Sequence, residues 1–591
     1  MASNRKYRNA NYTTRTITDL KDMIDSSAAL YGDAPAYLVK NVPGGSYIPK
    51  SYNELKSDID AFGTALLDLG MKGKHIAVIG ETRYEWVVAD LAVINGVGVA
   101  VPLDKELPVS ELSNLAQRAH LSAIVFSAKV EKRLMEAIDG LEGIEYMISM
   151  DAEHSTEEIL SMKELIGTGK KLIRKGNHYY LNTEVDPEAM SILLFTSGTT
   201  GLAKGVMLSS KNIVSNVMNM SQYVHIEQGD ISLSVLPIHH TYEFTCNQMT
   251  VLYQGGTLAI CEGLKHVVKN MNECHANIIV AVPELFEVMY KRIWRQAEKS
   301  GRADKLEKGL QLAKTLRRFN IKSMRRLFKD VHNAFGGHMQ LFIAGAAPVD
   351  PEIIENFNLM GINTFQGYGL TESSPIVAVH RDRYHHGSSV GPALPETEIR
   401  IENPDEDGVG EIVSKSPSVM LGYYENPEAT AEVLVDGWLY TGDYGYLDEE
   451  NFLHVTGRKK NVIVTQNGKN IFPEEVEYYL MKSDFIKEVM VTGEQDEKSR
   501  NLVVTAHIVP DREALRQAGS ALSEQETRKL FKKEIDRANA QMPPYKRVKR
   551  FELRDEEFEK TSTMKIKRFG TNLEKKDTDR YETGTSGNED A

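Results

Sequence analysis

The chain has 591 residues, of which 41% are hydrophobic and 26% charged, the balance of a large globular protein rather than of a disordered or fibrous chain. A net charge of −13 argues against a nucleic-acid binder, and three cysteines, with no Cys-x-x-Cys pair and no histidines at ligand spacing, read as buried free thiols. The N-terminus has no apolar core of the kind a secretory signal needs, and the longest nearly uncharged apolar run, 91–103, is too short to span a bilayer, so a cytoplasmic protein is expected.

The length allows about three to five folding units. Short runs rich in Val and Ile at 75–79, 97–103, 123–126, 232–238, 257–261, 277–282 and 340–344 alternate with helical patterns. That alternation predicts an α/β fold with right-handed crossovers and parallel sheets covered on both faces. Between 291 and 330 there are fourteen Lys and Arg against four Asp and Glu, so this window carries +10 and the remainder −23. Its Leu306, Leu310, Leu312, Leu316, Phe319 and Leu327 recur at roughly helical spacing, which predicts helices with a basic face. From Gly391 closely spaced short strands predict a small barrel-like subdomain reaching 458. Past it, a strand, an Asn-Gly turn and a helix behind Pro473 open a compact α+β unit, placed at 459–570, and the polar tail 571–591 is expected to be disordered.

The stretch 194–204, LFTSGTTGLAK, sets hydroxyls, glycines and a lysine behind the strand-like run 190–195. Glycines let backbone N–H groups approach phosphate oxygens, hydroxyls donate further bonds and the lysine adds charge, so Thr196, Ser197, Gly198, Thr199, Thr200, Gly201 and Lys204 are assigned to a polyphosphate. A Walker A loop is excluded, because its lysine must directly follow the second glycine and precede a hydroxyl, whereas Lys204 lies three positions beyond Gly201 and precedes Gly205. Three further segments follow in order: QGYGLTES at 366–373, LYTGDYGYLDEENFLHVTGR at 439–458 and KTSTMKIKR at 560–568.

Together these four segments resemble the adenylate-forming (AMP-binding) superfamily, which joins acyl- and aryl-CoA synthetases, the adenylation domains of peptide synthetases and luciferases, over residues from about 20 to about 570. The resemblance implies a large N-terminal domain, 1–458, followed by a small mobile C-terminal domain, and it implies ATP, Mg²⁺ and CoA. It gives Thr371 as the α-phosphate hydroxyl and Glu372 as the magnesium carboxylate, with Thr196 as a second oxygen ligand. Tyr368, within Gln366, Gly367 and Gly369, would stack on adenine, and Gly345, Ala346 and Ala347 would line the other face. Asp443 would accept the ribose hydroxyls, with Arg458 as its companion. Lys565 would be the catalytic lysine of adenylation, although Met564 stands where most of the family has glycine; a methionine there is similar to the long-chain branch. Lys460 falls at the family's hinge, and Gly468 would reach the site in the thioester-forming state.

For the substrate, LPIHHTYEF places His240 where acyl-activating relatives carry a histidine or aromatic between the acyl pocket and the thiol entrance. Thr241 replaces the aspartate with which amino-acid activators hold an α-amino group, which favours an acyl or aryl acid; Glu243 lies close by, in a His-x-x-Glu similar to that of long-chain relatives. The reading is a long-chain fatty acid–CoA ligase whose substrates are a fatty acid and CoA. Its basic window, 291–330, would attract an anionic membrane surface at the inner face of the membrane, or dock an acidic carrier protein if the acyl group goes to a carrier. A non-catalytic sensor of AMP or acyl-AMP with the same fold is the alternative from another class.

Overall fold

The computed structural model describes residues 11–196, 203–318, 325–382, 384, 388–464, 469–495, 502–517, 523–560, 566–568 and 581–582. Two eight-stranded sheets dominate it. In the first, Ile231–Ser234, Ile278–Ala281, Leu341–Ala344, Asn363–Gly369, Thr257–Ile260 and Pro35–Val39 form the parallel body, with antiparallel strands Ile376–Val379 and Ile48–Ser51 at its edges. The second runs parallel from Met190–Thr196 through Val99–Leu103, His75–Ile79, Leu121–Phe126 and Tyr146–Ser149 to Ile159–Ser161. Its other edge, Lys204–Ser209 and Gly422–Tyr423, is antiparallel. Leu121–Phe126 and Val99–Leu103 are buried at every position, as strands covered on both faces must be.

The α/β expectation holds, with one physical qualification. The connection 197–203 is far too short for the crossover that parallel strands need, so it can join its strands only as a hairpin. Ser209 then caps the next helix, Ser210–Ser221, in a reciprocal capping box with Asn212, which turns the chain directly from strand into helix.

Apart from Gly422–Tyr423, the strands within 391–458 form an open six-stranded sheet. Glu398–Glu402 and Gly391–Pro392 end its two edges and do not pair with each other among the described residues, so the barrel-like expectation gives way to an open, twisted sheet. Beyond it, Ile463, Ile471, Val476, Val489, Ile508, Phe531 and Phe551 pack into a core made wholly of residues after 460. The tail also departs from expectation at one place: Tyr581–Glu582 pair antiparallel with Arg550–Leu553.

The basic window folds as the helices Pro283–Lys299 and Ala303–Arg318. Leu310 and Ala313 are buried in the core, Leu306 and Leu316 are half-buried, and Leu312 and Leu327 are exposed; Phe319 lies outside the described residues. No described helix is long and apolar enough to cross a membrane.

Candidate active site

In an open α/β sheet, ligands bind where parallel strands end, because the backbone there turns away into loops. In the first sheet those ends carry residues 235–240, 345–350 and 370–375, the segments that hold His240, the Gly345 turn and Glu372. Gly345 is required by close approach: a Cβ there would lie 2.7 Å from the Tyr242 ring, whose hydroxyl donates to the carbonyl of Ile343 at 3.1 Å. Next to it Ala346 takes φ +71°, a conformation that costs a non-glycine residue about 1–2 kcal/mol and that re-aims the backbone of the turn.

Tyr368 ends the Asn363–Gly369 strand and reaches across to the six-stranded sheet, donating its hydroxyl to Asp443 Oδ2 at 2.6 Å. Asp443 stands directly opposite Arg458 on paired antiparallel strands, and Arg458 Nε meets Asp443 Oδ1 at 2.8 Å. Both oxygens of the carboxylate thus accept from the protein, and a carboxylate has lone pairs for further donors. Gln366 is turned inward: its amide donates to the carbonyls of Ser388 and Ser389 and accepts from the Val349 N–H, so the side chain fixes the loop around the Gly345 turn.

On the opposite side, Thr196 and Lys204 face each other across the hairpin. Ser197, Gly198, Thr199, Thr200 and Gly201 lie outside the described residues, as do Gly468 and Lys565. Lys204 places its ammonium 4.6 Å from the centre of the Tyr423 ring, and the Tyr423 hydroxyl donates to Glu372 Oε1 at 2.8 Å. Burial, reinforced by Glu372, pushes the Tyr423 phenol far above its ordinary range, so it remains a donor. Thr371 is half-buried beside Glu372 in a single helical turn. Helix Ser210–Ser221 braces this side: Asn216 donates to the Ile376 carbonyl at 2.8 Å, and Asn212 donates to the carbonyls of Pro417 and Val419.

The donors gathered here are oxygens, with Glu372 held at one carboxylate oxygen, and among the described residues no group of three or more His, Cys, Asp or Glu side chains stands at metal-holding distance. Such a set suits a hard cation that takes few protein carboxylates and completes its shell with phosphate and water.

Around His240 the surroundings lose charge. His239, whose ring lies tilted at 4.1 Å from it, is held down to about 3 by burial and by Lys105. Glu243 is fully buried and accepts from Ser234, Asn247 and Gln248 at 2.5, 2.9 and 2.9 Å, while burial pushes its carboxyl up to about 7. It therefore serves a core network on the π-helix Tyr242–Met249 rather than facing the site as a fixed charge. His239 and Thr241 border a small cavity with Trp86, Ile238 and Phe244. Asp90 at its edge is also pushed well above the carboxylate range by burial. Burial likewise raises the thiols of Cys246, Cys261 and Cys274, the last two to about 11, so none is a ready nucleophile.

Lys460 sits in the single turn Lys459–Asn461 that leads out of the six-stranded sheet. Lys560 and Ile566 form an antiparallel bridge, so the two ends of the segment containing Lys565 meet. Lys560 is fixed to Glu488 at 2.6 Å and lies within electrostatic reach of Glu284, at the start of the helix that follows a strand of the first sheet. Tyr478, also beyond the hinge, donates to Asp350 beside the Gly345 turn at 3.3 Å.

The structure places Tyr368, Asp443 and Arg458 in contact, and sequence reading missed Tyr423, Tyr242 and the buried state of Glu243. Only the GYY at 422–424 marks the first of these, and it carries no spacing rule.

The fold is that of a solved anthranilate CoA ligase bound to anthranoyl-AMP, which superposes with a TM-score of 0.73 over 95% of this chain and 96% of its own, at 18% identity. The family described as AMP-binding enzyme matches residues 24–424, and its C-terminal domain matches 460–575, so the chain belongs to the AMP-binding enzymes, which activate acids through acyl-AMP. Among curated proteins it is 28% identical to long-chain-fatty-acid–CoA ligase 1 of Cavia porcellus, over 84% of this chain and 74% of that one. It is 25% identical to a chloroplastic long-chain-fatty-acid–acyl-carrier-protein ligase of Arabidopsis thaliana, over 87% and 79%.

Proposed function

We propose that the chain activates a long-chain fatty acid with ATP, releasing pyrophosphate and forming acyl-AMP, and then passes the acyl group to the thiol of CoA. The observation that carries this reading is that the Tyr368–Asp443–Arg458 cradle and the Lys204–Tyr423–Glu372 chain lie at the two ends of the 366–372 segment, with the His240 segment following a strand of the same sheet. Long-chain specificity is supported by relatives at 25–29% identity and by His239 and Glu243, whose charged forms burial disfavours.

Adenylation brings an anion to a polyanion, so the protein must neutralise and align both. Asp443 holds the ribose, with its own position set by Tyr368 and Arg458. Lys204 and the hydroxyls of 196–200 hold the outer phosphates, Thr371 donates to the α-phosphate, and Lys565 bridges the acid's carboxylate and the α-phosphate as charge accumulates. Glu372, with Thr196, would hold Mg²⁺, which when bound offsets phosphate charge. The acid's oxygen attacks the α-phosphorus as pyrophosphate departs; the CoA sulfur then attacks the acyl carbon and AMP departs. Residues 459–570 act as a separate mobile unit turning about Lys460, presenting Lys565 for the first step and Gly468 for the second.

The basic face of 291–330, with Lys291, Arg292, Arg295 and Lys299 exposed on one helix and Lys305 and Lys308 on the next, brings the enzyme to anionic membrane where its acid substrate resides. The carrier-protein ligase among the relatives favours one second reading, transfer to a carrier's phosphopantetheine thiol. The test is fatty-acid-dependent pyrophosphate exchange across acids of increasing length, followed by thioester formation with CoA or with a carrier protein. Nucleotide binding without exchange would leave a sensor and remove the catalytic reading.

A further inference from the structure

We propose that Tyr423 is a positioning residue that couples the two charged ends of the phosphate side: its hydroxyl aims Glu372 toward a divalent cation and its ring seats Lys204, holding the two opposite charges in register. The inference rests on the function proposed above.

The local backbone is built for this. Gly422–Tyr423 pairs antiparallel with the strand that begins at Lys204, with Tyr423 opposite Val206. On either side, Leu421 N–H donates to the Met207 carbonyl at 2.9 Å and Tyr424 N–H to the Gly205 carbonyl at 2.7 Å. One residue earlier, Met420 N–H donates to the carbonyl of Glu372 itself at 2.8 Å. Tyr423's own N–H is taken by Thr430 Oγ1 at 2.8 Å, which fixes the rotation of the segment. Residues 420–424 therefore bind the Glu372 turn on one side and the Lys204 strand on the other.

The side chain repeats that link in charge. Its hydroxyl donates to one oxygen of Glu372, which restricts the carboxylate's rotamers and leaves the second oxygen for a cation. Its ring face receives the Lys204 ammonium, an attraction that a partly dry site strengthens. Neither the Lys204 ammonium nor the Glu372 carboxylate has an ion-pair partner among the described residues. Tyr423 satisfies both while neutralising neither, so the lysine remains available to phosphate and the carboxylate to metal.

The experiment uses full-length protein carrying Tyr423→Phe or Tyr423→Leu. ATP binding is measured by calorimetry with Mg²⁺ and with EDTA, and pyrophosphate exchange is measured against Mg²⁺ concentration and acid concentration. Tyr423→Phe keeps the ring and loses the hydroxyl; it is expected to weaken Mg²⁺-ATP binding and raise the Mg²⁺ requirement about tenfold, with metal-free ATP binding and the KM for the acid within twofold of wild type. Tyr423→Leu is expected to add a several-fold loss of metal-free ATP binding, because Lys204 loses its platform. An unchanged Mg²⁺ requirement in Tyr423→Phe overturns the proposal, as does an equal loss with and without metal that tracks a lowered melting temperature. If Tyr423→Leu fails to fold, Tyr423→Phe decides alone. Wild-type protein without acid-dependent exchange would sink the function reading instead, whereas wild-type exchange beside a metal-insensitive Tyr423→Phe sinks only this one.

Discussion

The two halves of the crevice handle charge in opposite ways. On the nucleotide half Asp443 is met by Arg458 and Tyr368, and Glu372 by Tyr423, so each carboxylate is held by a donor and turned toward the place a ligand would occupy. On the acyl half burial disfavours the charged forms of three groups: His239 is held down to about 3, Glu243 up to about 7 and Asp90 well above the carboxylate range. In the proposed reading a triphosphate is recognised by groups that can be named from a motif. An acyl chain would be recognised by the removal of charge, which has no motif.

The hardest way to break the nucleotide half is at Lys565. Lys565→Ala is expected to lower fatty-acid-dependent pyrophosphate exchange about 10²–10³-fold, the usual cost of deleting one group aimed at developing charge. Thioester formation from supplied acyl-AMP and CoA should remain largely intact, because that step does not use the lysine. Equal loss of both steps would remove Lys565 from adenylation and make it a structural residue.

A smaller loss is expected at the ribose. Asp443→Ala should weaken ATP binding about 10–100-fold by calorimetry, in line with about 1.5–3 kcal/mol for hydrogen bonds to a charged group. The ratio of exchange rates between long and short acids at saturating ATP should stay unchanged, because the variant leaves the acyl half alone. A shifted acid preference would mean that the two halves are one coupled pocket, and the contrast between them would fall.

What could be read from residues alone follows the same division. His75–Ile79 and Leu341–Ala344 were legible because buried parallel strands are short apolar runs, and Tyr368, Asp443 and Glu372 because their segments keep fixed order and spacing. The antiparallel edge at Thr196 and Lys204 was less legible, since the apolar run shows a strand but not the direction of its neighbour. Tyr423 reaches Glu372 across 51 residues of sequence, a contact no local period reports. Glu243 in sequence is simply an acid next to a substrate site; only its three amide and hydroxyl donors and its full burial show that it belongs to the core.

Outside the crevice, the basic helices extend the contrast, since they would serve delivery of the acyl substrate and not the nucleotide. Lys305→Glu with Lys308→Glu is expected to reduce partition onto vesicles rich in anionic lipid about 10-fold or more in sedimentation assays at low salt, at about 1 kcal/mol per cation near the surface. The difference should shrink as ionic strength rises, because exposed charges are screened within a Debye length. Exchange with short soluble acids should not move. Equal partition of variant and wild type would confine these helices to a solvated face.

The mildest test isolates the neutral half through Glu243. The folded protein keeps the Glu243 proton up to about pH 7, whereas the unfolded chain releases it near 4.5, so between those values the folded state binds more protons. Stability from this group is therefore full below about pH 4.5, falls as pH rises through 7 and is level above it. At about 1.4 kcal/mol for each pH unit that separates the two states, the fall is of the order of 2–4 kcal/mol. Glu243→Gln still offers an oxygen to Ser234, Asn247 and Gln248 but cannot titrate, and its amide nitrogen would stand where Oε2 has no partner. The variant is thus expected to melt below wild type at pH 5, by a margin that narrows toward pH 8, with ATP binding unaltered at both. Parallel melting curves across that range would show that Glu243 is ionised in the folded protein, and the acyl half would then carry a buried charge that a fatty acid would have to pass.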